Sequence, residues 1–102
     1  MIARIWHGRA PVSTADDYQR HYENEVTRHL RGISGFAGAR LLRREDAGEV
    51  EFTSITFFTG MDAVRAFAGE DYERAVVEDA ARLALTGWDD QVSHHGVVVD
   101  LS

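Results

Sequence analysis

Residues 36–58 read FAGARLLRREDAGEVEFTSITFF, and the fold turns on how this stretch divides. Residues 36–45 and 50–58 predict two strands, and Asp46-Ala47-Gly48-Glu49 between them carries turn chemistry, so the stretch predicts a β-hairpin. A two-stranded hairpin alone is marginal in water and needs more strands or a covering layer. The flanking sequence offers both.

Upstream, residues 2–10 predict a strand that Pro11 ends, and Gly8 inside it signals a bulge or a close backbone approach. Ser13-Thr14-Ala15-Asp16-Asp17 then opens a helix, with Ser13 or Thr14 placed to cap free amides. Tyr18, Tyr22, Val26 and Leu30 recur at four-residue spacing on one helical face. Gly32 and Gly35 stop it. Downstream, Thr59-Gly60-Met61-Asp62 repeats the capping pattern before a helix carrying Met61, Val64 and Phe67, which Gly69 breaks. Residues 72–85 predict a further helix with Tyr72, Val76, Ala80 and Leu83 on one side, and Gly87 its stop. Residues 91–101 predict a last strand, including Val97-Val98-Val99. The order β-α-β-β-α-(α)-β is the ferredoxin-like split βαβ arrangement of the α+β class, a four-stranded antiparallel sheet with helices on one face.

A sheet covered on one side should alternate apolar and polar residues. These strands do not. Strand one offers Ile2 and Trp6 on one face but Ala3 and Ile5 on the other. Strand three offers Phe52 and Phe58, but also Ile55 and Phe57. The expected cover for the second face is another copy of the chain, giving a homodimer packed sheet to sheet. Burying ~800 Å² per partner at ~25 cal/mol per Å² of apolar area is ample drive before association costs.

The 102 residues predict one domain, 1–102, with an ordinary globular composition of 44% hydrophobic and 27% charged residues. A net charge of −6 repels a phosphate backbone, so no nucleic-acid partner is expected. The stripe Arg40, Arg43 and Arg44 reads as a solvated strand edge. Strand three, Glu51-Phe52-Thr53-Ser54-Ile55, lacks the basic-aromatic signature of RNA-binding sheets. No phosphate loop or dinucleotide fingerprint occurs. The chain has no cysteine, which removes disulfides, thiolate nucleophiles and sulfur-ligated metals together. No stretch reaches the ~20 apolar residues of a membrane helix, and the first ten residues have no signal-peptide core. The expectation is a cytoplasmic protein with no membrane partner.

The segments MIARIWHGRAPVSTADDY (1–18), LLRRED (41–46), FFTGMDAVRAFAGEDYERAV (57–76) and VSHHGVVV (92–99) together resemble the antibiotic-biosynthesis monooxygenase type of dimeric α/β barrel domain. The resemblance spans nearly the whole chain and implies diverse chemistry: cofactor-free oxygenation of aromatic polyketides or quinols, haem degradation, cyclisation, or the processing of signalling molecules. In the oxygenase and haem-degrading branches the pocket lies between sheet and helices. The haem-degrading branch uses an Asn on the first strand, a Trp ending the third and a haem-ligating His after the second helix. The matching positions here are Trp6, Phe58 and Val77. All three depart, and Val77 cannot bind iron, so neither haem nor another cofactor is expected.

Five histidines draw attention to the remaining chemistry. His21, Glu25 and His29 repeat at four-residue spacing, but residues four apart drift ~40° around an ideal helix. With the Tyr18–Leu30 face inward, His29 is expected inward, Glu25 at the border and His21 outward, so no metal site is expected. His94 and His95 are strand neighbours facing opposite sides, and His94 is favoured for the helix-covered side. Trp6, Tyr18, Tyr22, Phe58 and Trp88 are candidates for an aromatic pocket wall, with His95 a further substrate contact. The leading expectation is a cofactor-independent monooxygenase acting on a small aromatic or quinol-type molecule, with His29 or His94 as base and Tyr22 assisting. The alternative is a non-oxygenase binding module or a polyketide cyclase or isomerase on the same scaffold.

Overall fold

The computed structural model describes residues 1–102. In chain order its elements are β1 (Ile2–Pro11), α1 (Val12–His21), a π-helical segment (Tyr22–Val26), α2 (Thr27–Arg31), β2 (Phe36–Asp46), β3 (Glu49–Phe58), α3 (Met61–Ala68), α4 (Asp79–Ala84), β4 (Gly87–Trp88) and β5 (Ser93–Gly96). The strands lie in the order β2-β3-β1-β4, with β5 also on β1. Every pairing is antiparallel. This is the ferredoxin-like α+β architecture, its last strand split into two short pieces. No helix is long and apolar enough to cross a membrane.

Cross-strand partners share a face of the sheet, so the register sorts the side chains. Trp6 pairs with Ser54, Arg4 with Thr56 and His94, and Gly8 with Phe52. These positions face the helices. There Val50, Phe52 and Phe58 are fully buried and Trp6 nearly so. The opposite face carries Ala3, Ile5, His7 and Arg9, opposite Phe57, Ile55, Thr53 and Glu51. The buried side chains form two clusters. Trp6, Tyr18, Tyr22, Phe52 and Leu85 belong to the first, and Leu30, Phe58, Ala63 and Val64 make up the second.

Three expectations need correction, and the two readings of Gly8 are decided. Neither Ser13 nor Thr14 caps the first helix. The chain turns into it at Pro11, and no side chain bonds its free amides. Thr14 Oγ1 instead donates to the Ala84 carbonyl at 2.8 Å, tying α1 to α4. Likewise α3 starts from Gly60 with no side-chain cap.

The helix expected over 72–85 is reduced to α4. Residues 70–78 are not helical: they turn at Tyr72-Glu73 and are then held by distant partners. Ala75 N–H donates to the Asp90 carbonyl at 2.8 Å and Val92 N–H to the Glu73 carbonyl at 2.7 Å. The Arg4 guanidinium takes the carbonyls of Tyr72 and Arg74. These tertiary bonds outweigh a helical propensity worth only tenths of a kcal/mol per residue. The last strand stops at Gly96, because its partner β1 begins at Ile2, opposite that residue. Val98, Val99 and Leu101 beyond it are exposed. Finally, Gly8 marks a close approach and not a bulge: β1 pairs with β3 without a shift. A Cβ at Gly8 would lie 2.4 Å from the Trp6 ring.

Candidate functional site

Between the first helix and the sheet lies a cavity of about 60 Å³. A water needs roughly 10–15 Å³ on a like measure, so the space holds several. Its sheet wall is Arg4, Trp6, Ser54 and Thr56, and its helix wall is Tyr18, His21, Tyr22 and Val26. Phe67, Ala81, Val92 and the segment Val76, Val77 and Glu78 complete it, and the exposure of Val76 and Glu78 puts the mouth there.

The π segment decides which helix residues reach this space. An i→i+5 turn takes about one residue more than an α turn, so everything after it rotates back by roughly 100°. Leu30 therefore turns inward, 1% exposed, and His29 turns out. This corrects the inward placement of His29, whose ring lies 4.9 Å from that of Phe67 on the exposed flank. It also corrects His21, expected outward: it lines the cavity, and its Nε2 is buried with no hydrogen-bond partner. Glu25 is exposed beside Arg28, so the His21–Glu25–His29 row does not converge.

Tyr22 is the second polar group left open. Its hydroxyl is buried without a hydrogen-bond partner. Burial pushes its pKa up, and the Ser54 and Thr56 hydroxyls, near but outside bonding geometry, temper the rise. Burial likewise raises Tyr18, with Tyr22 adding to it. Both phenols are therefore neutral donors near pH 7. Tyr18 packs between Trp6 and Phe52, with ring centroids 6.0 and 4.7 Å away. Trp6 Nε1 donates to the Asp89 carbonyl at 3.0 Å, which fixes the indole over Gly8.

Arg4 is the buried charged group of the site and was missed in the sequence, where an alternating Arg on a strand reads as an outward residue. It is 5% exposed. Its Nη1 donates to the Tyr72 carbonyl at 2.5 Å and meets His94 Nε2 at 3.1 Å, while Nη2 donates to the Arg74 carbonyl at 3.1 Å. Burial lowers its pKa to about 10. His94 thus sits on the helix side, behind Arg4 and edge-on to Tyr72, and does not line the cavity. His95 faces the other side, exposed, bonded to Ser93. Phe58 is sealed in the second core cluster, and Trp88 packs on the outside of the first, under Arg82. Of the expected site residues, the cavity brings together Trp6, Tyr18 and Tyr22 only.

A helix-roofed antiparallel sheet with an aromatic cavity beneath the first helix defines the class by its architecture: a ferredoxin-like α+β domain. No family model and no curated protein matches the chain. Solved structures do share its fold. The haem degrader MhuD from Mycobacterium tuberculosis, bound to two haems, superposes with a TM-score of 0.68 at 18% identity over 100% of both chains. A Bacillus cereus protein assigned to antibiotic-biosynthesis monooxygenases gives 0.69 at 10% identity, covering 99% of this chain and 94% of that one. SnoaB, a cofactor-independent oxygenase from Streptomyces nogalater, gives 0.61 at 14% identity over 99% and 95%. The fold is thus the antibiotic-biosynthesis monooxygenase-type fold.

Proposed function

We propose that this chain is a cofactor-independent oxygenase of a small aromatic or quinol-type molecule, working as a homodimer. One observation carries the reading: His21 Nε2 and the Tyr22 hydroxyl are two buried, unpartnered polar groups in an otherwise mostly apolar, aromatic cavity. Buried polar atoms are ordinarily paired, and an open pair inside a cavity suits a ligand's oxygen atoms. The fold's occurrence in SnoaB, a cofactor-independent oxygenase, supports the same reading.

In this reading the substrate's ring stacks against Trp6 and Tyr18. His21 takes a proton from the activated carbon or hydroxyl, and Tyr22 donates a hydrogen bond to the oxygen where charge collects. The carbanion reduces dioxygen and combines with it to a hydroperoxide, which loses water to leave a carbonyl. A methylene thus becomes a ketone, and one O₂ gives one water. The protein contributes orientation, desolvation and the proton acceptor.

The haem of the M. tuberculosis protein is no part of this reading. The segment after α3 that lines the cavity presents Val76, Val77 and Glu78, not an imidazole. The test is oxygen uptake with anthrones and naphthoquinols, product analysis alongside. Uptake abolished in His21→Ala supports the proposal. Binding without uptake favours the alternative of a binding module.

A further inference from the structure

Arg4 has no role in the chemistry just described. It is a guanidinium 5% exposed, on a cavity wall, with no carboxylate within ion-pair distance. None of the ion pairs of the chain includes it. Glu78, the one carboxylate lining the cavity, is exposed at the mouth. Of the five guanidinium N–H groups, both on Nη1 are engaged, by the Tyr72 carbonyl and by His94, and one on Nη2 by the Arg74 carbonyl. The Nε–H and the second Nη2–H have no protein acceptor. A face of the cation lies 5.6 Å from the Phe67 ring, which lines the same cavity.

Two carbonyls could be tied equally well by a neutral amide. Burying a full charge for that purpose costs several kcal/mol that neutral acceptors do not return. An anion in the cavity offsets it, and the two free N–H groups are its natural donors, in the fork that suits an oxyanion. We infer that the cavity binds a flat aromatic molecule carrying an anionic oxygen, as a carboxylate or an enolate, held by Arg4 through its Nε and Nη2 hydrogens. His94 positions Arg4 from behind, its Nε2 accepting from Nη1. The inference rests on the cavity being the small-molecule site and requires no turnover.

The test is calorimetric titration, under argon, of 2-naphthoate, its methyl ester and 2-naphthol. The wild type should bind 2-naphthoate about ten- to a hundredfold more tightly than the ester, the range of a hydrogen-bonded charge pair. Arg4→Gln should erase that ratio, and Arg4→Lys should keep part of it. For 2-naphthol, the absorbance of its anion reports whether binding lowers its pKa. Ionisation on binding assigns an enolate-type ligand, and tight naphthoate with un-ionised naphthol assigns a carboxylate. An ester bound as tightly as the acid, or a preference surviving in Arg4→Gln, overturns the inference while leaving the cavity a binding site. No binding of any of the three overturns both. If Arg4→Gln fails to fold, the wild-type ratio and Arg4→Lys decide.

Discussion

Two histidines exchange places between sequence and structure, and the exchange carries the sharpest prediction. His21 presents a buried, unpartnered nitrogen to the cavity and His29 lies outside, tilted against Phe67. His21→Ala is therefore expected to lower turnover by ~10²-fold or more, the usual size of a general-base effect, with His29→Ala close to wild type. Initial rates of oxygen uptake for the two variants decide it, and the reverse ranking sinks the assignment. At this scale the sequence was partly legible. The spacing of Tyr18, Tyr22, Val26 and Leu30 correctly marks the inward face, since a four-residue repeat survives a π turn. The histidine between them was misassigned because angular arithmetic on an ideal helix misses one residue of slippage. Arg4 was overlooked because burial of a charge depends on distant partners, the carbonyls of Tyr72 and Arg74.

Elements set these positions, and two of them can be perturbed. The π segment places Leu30 in the second core cluster. Leu30→Ala should cost about 2–5 kcal/mol, the range for a buried Leu, whereas His29→Ala should be nearly silent in urea unfolding. Deleting Asn24, within the π segment, would remove the extra residue and leave an α turn with Leu30 still inward and His29 still out, so it should destabilise much less than Leu30→Ala. The second element is the non-helical segment 70–78 with β5 behind it. Burial first, and then the Arg4 charge, hold the His94 pKa below its ordinary 6.5, with Glu73 opposing. The unfolded chain then binds the proton more tightly, so stability from this group is present above pH 6.5 and is lost as pH falls through the folded value. Denaturation midpoints between pH 7 and 5 should fall more steeply for the wild type than for His94→Gln. Parallel slopes would refute the linkage. None of this was readable from residues 72–85, whose apolar spacing fits a helix. The competing bonds to Asp90 and Val92 come from some fifteen to twenty residues away.

The molecule as a whole leaves one face of its sheet uncovered, and its residues are not evenly mixed. Toward the hairpin end the face is charged and internally paired, Arg44 with Glu51 at 2.9 Å and Arg9 with Glu49 at 3.7 Å. Toward the other end it is apolar, with Ala3, Ile5, Ile55 and Phe57 on neighbouring strands. The exposed Val98, Val99 and Leu101 follow directly from that end, where Val97 N–H bonds the Met1 carbonyl. Edge-to-edge pairing is disfavoured by Arg40, Arg43 and Arg44 along the outer strand β2, so a second copy is expected face to face, centred on Ile5 and Ile55. Burial of ~800 Å² per partner is a usual size for a stable contact. This is the reading that the failed alternation of strands one and three first suggested, since two apolar faces cannot both be served by one layer of helices. Light scattering at micromolar concentration should give roughly twice the 11.4 kDa chain mass. Ile55→Glu puts a charge at the centre of the contact, where leaving it unpaired costs more than an interface of this size can spare. It should yield a monomer of 11.4 kDa with unchanged far-ultraviolet circular dichroism. Thr53→Glu, nearer the charged end of the same strand, should leave the dimer intact. A wild type that scatters as a monomer, or an Ile55→Glu variant that stays dimeric, would each rule out this interface.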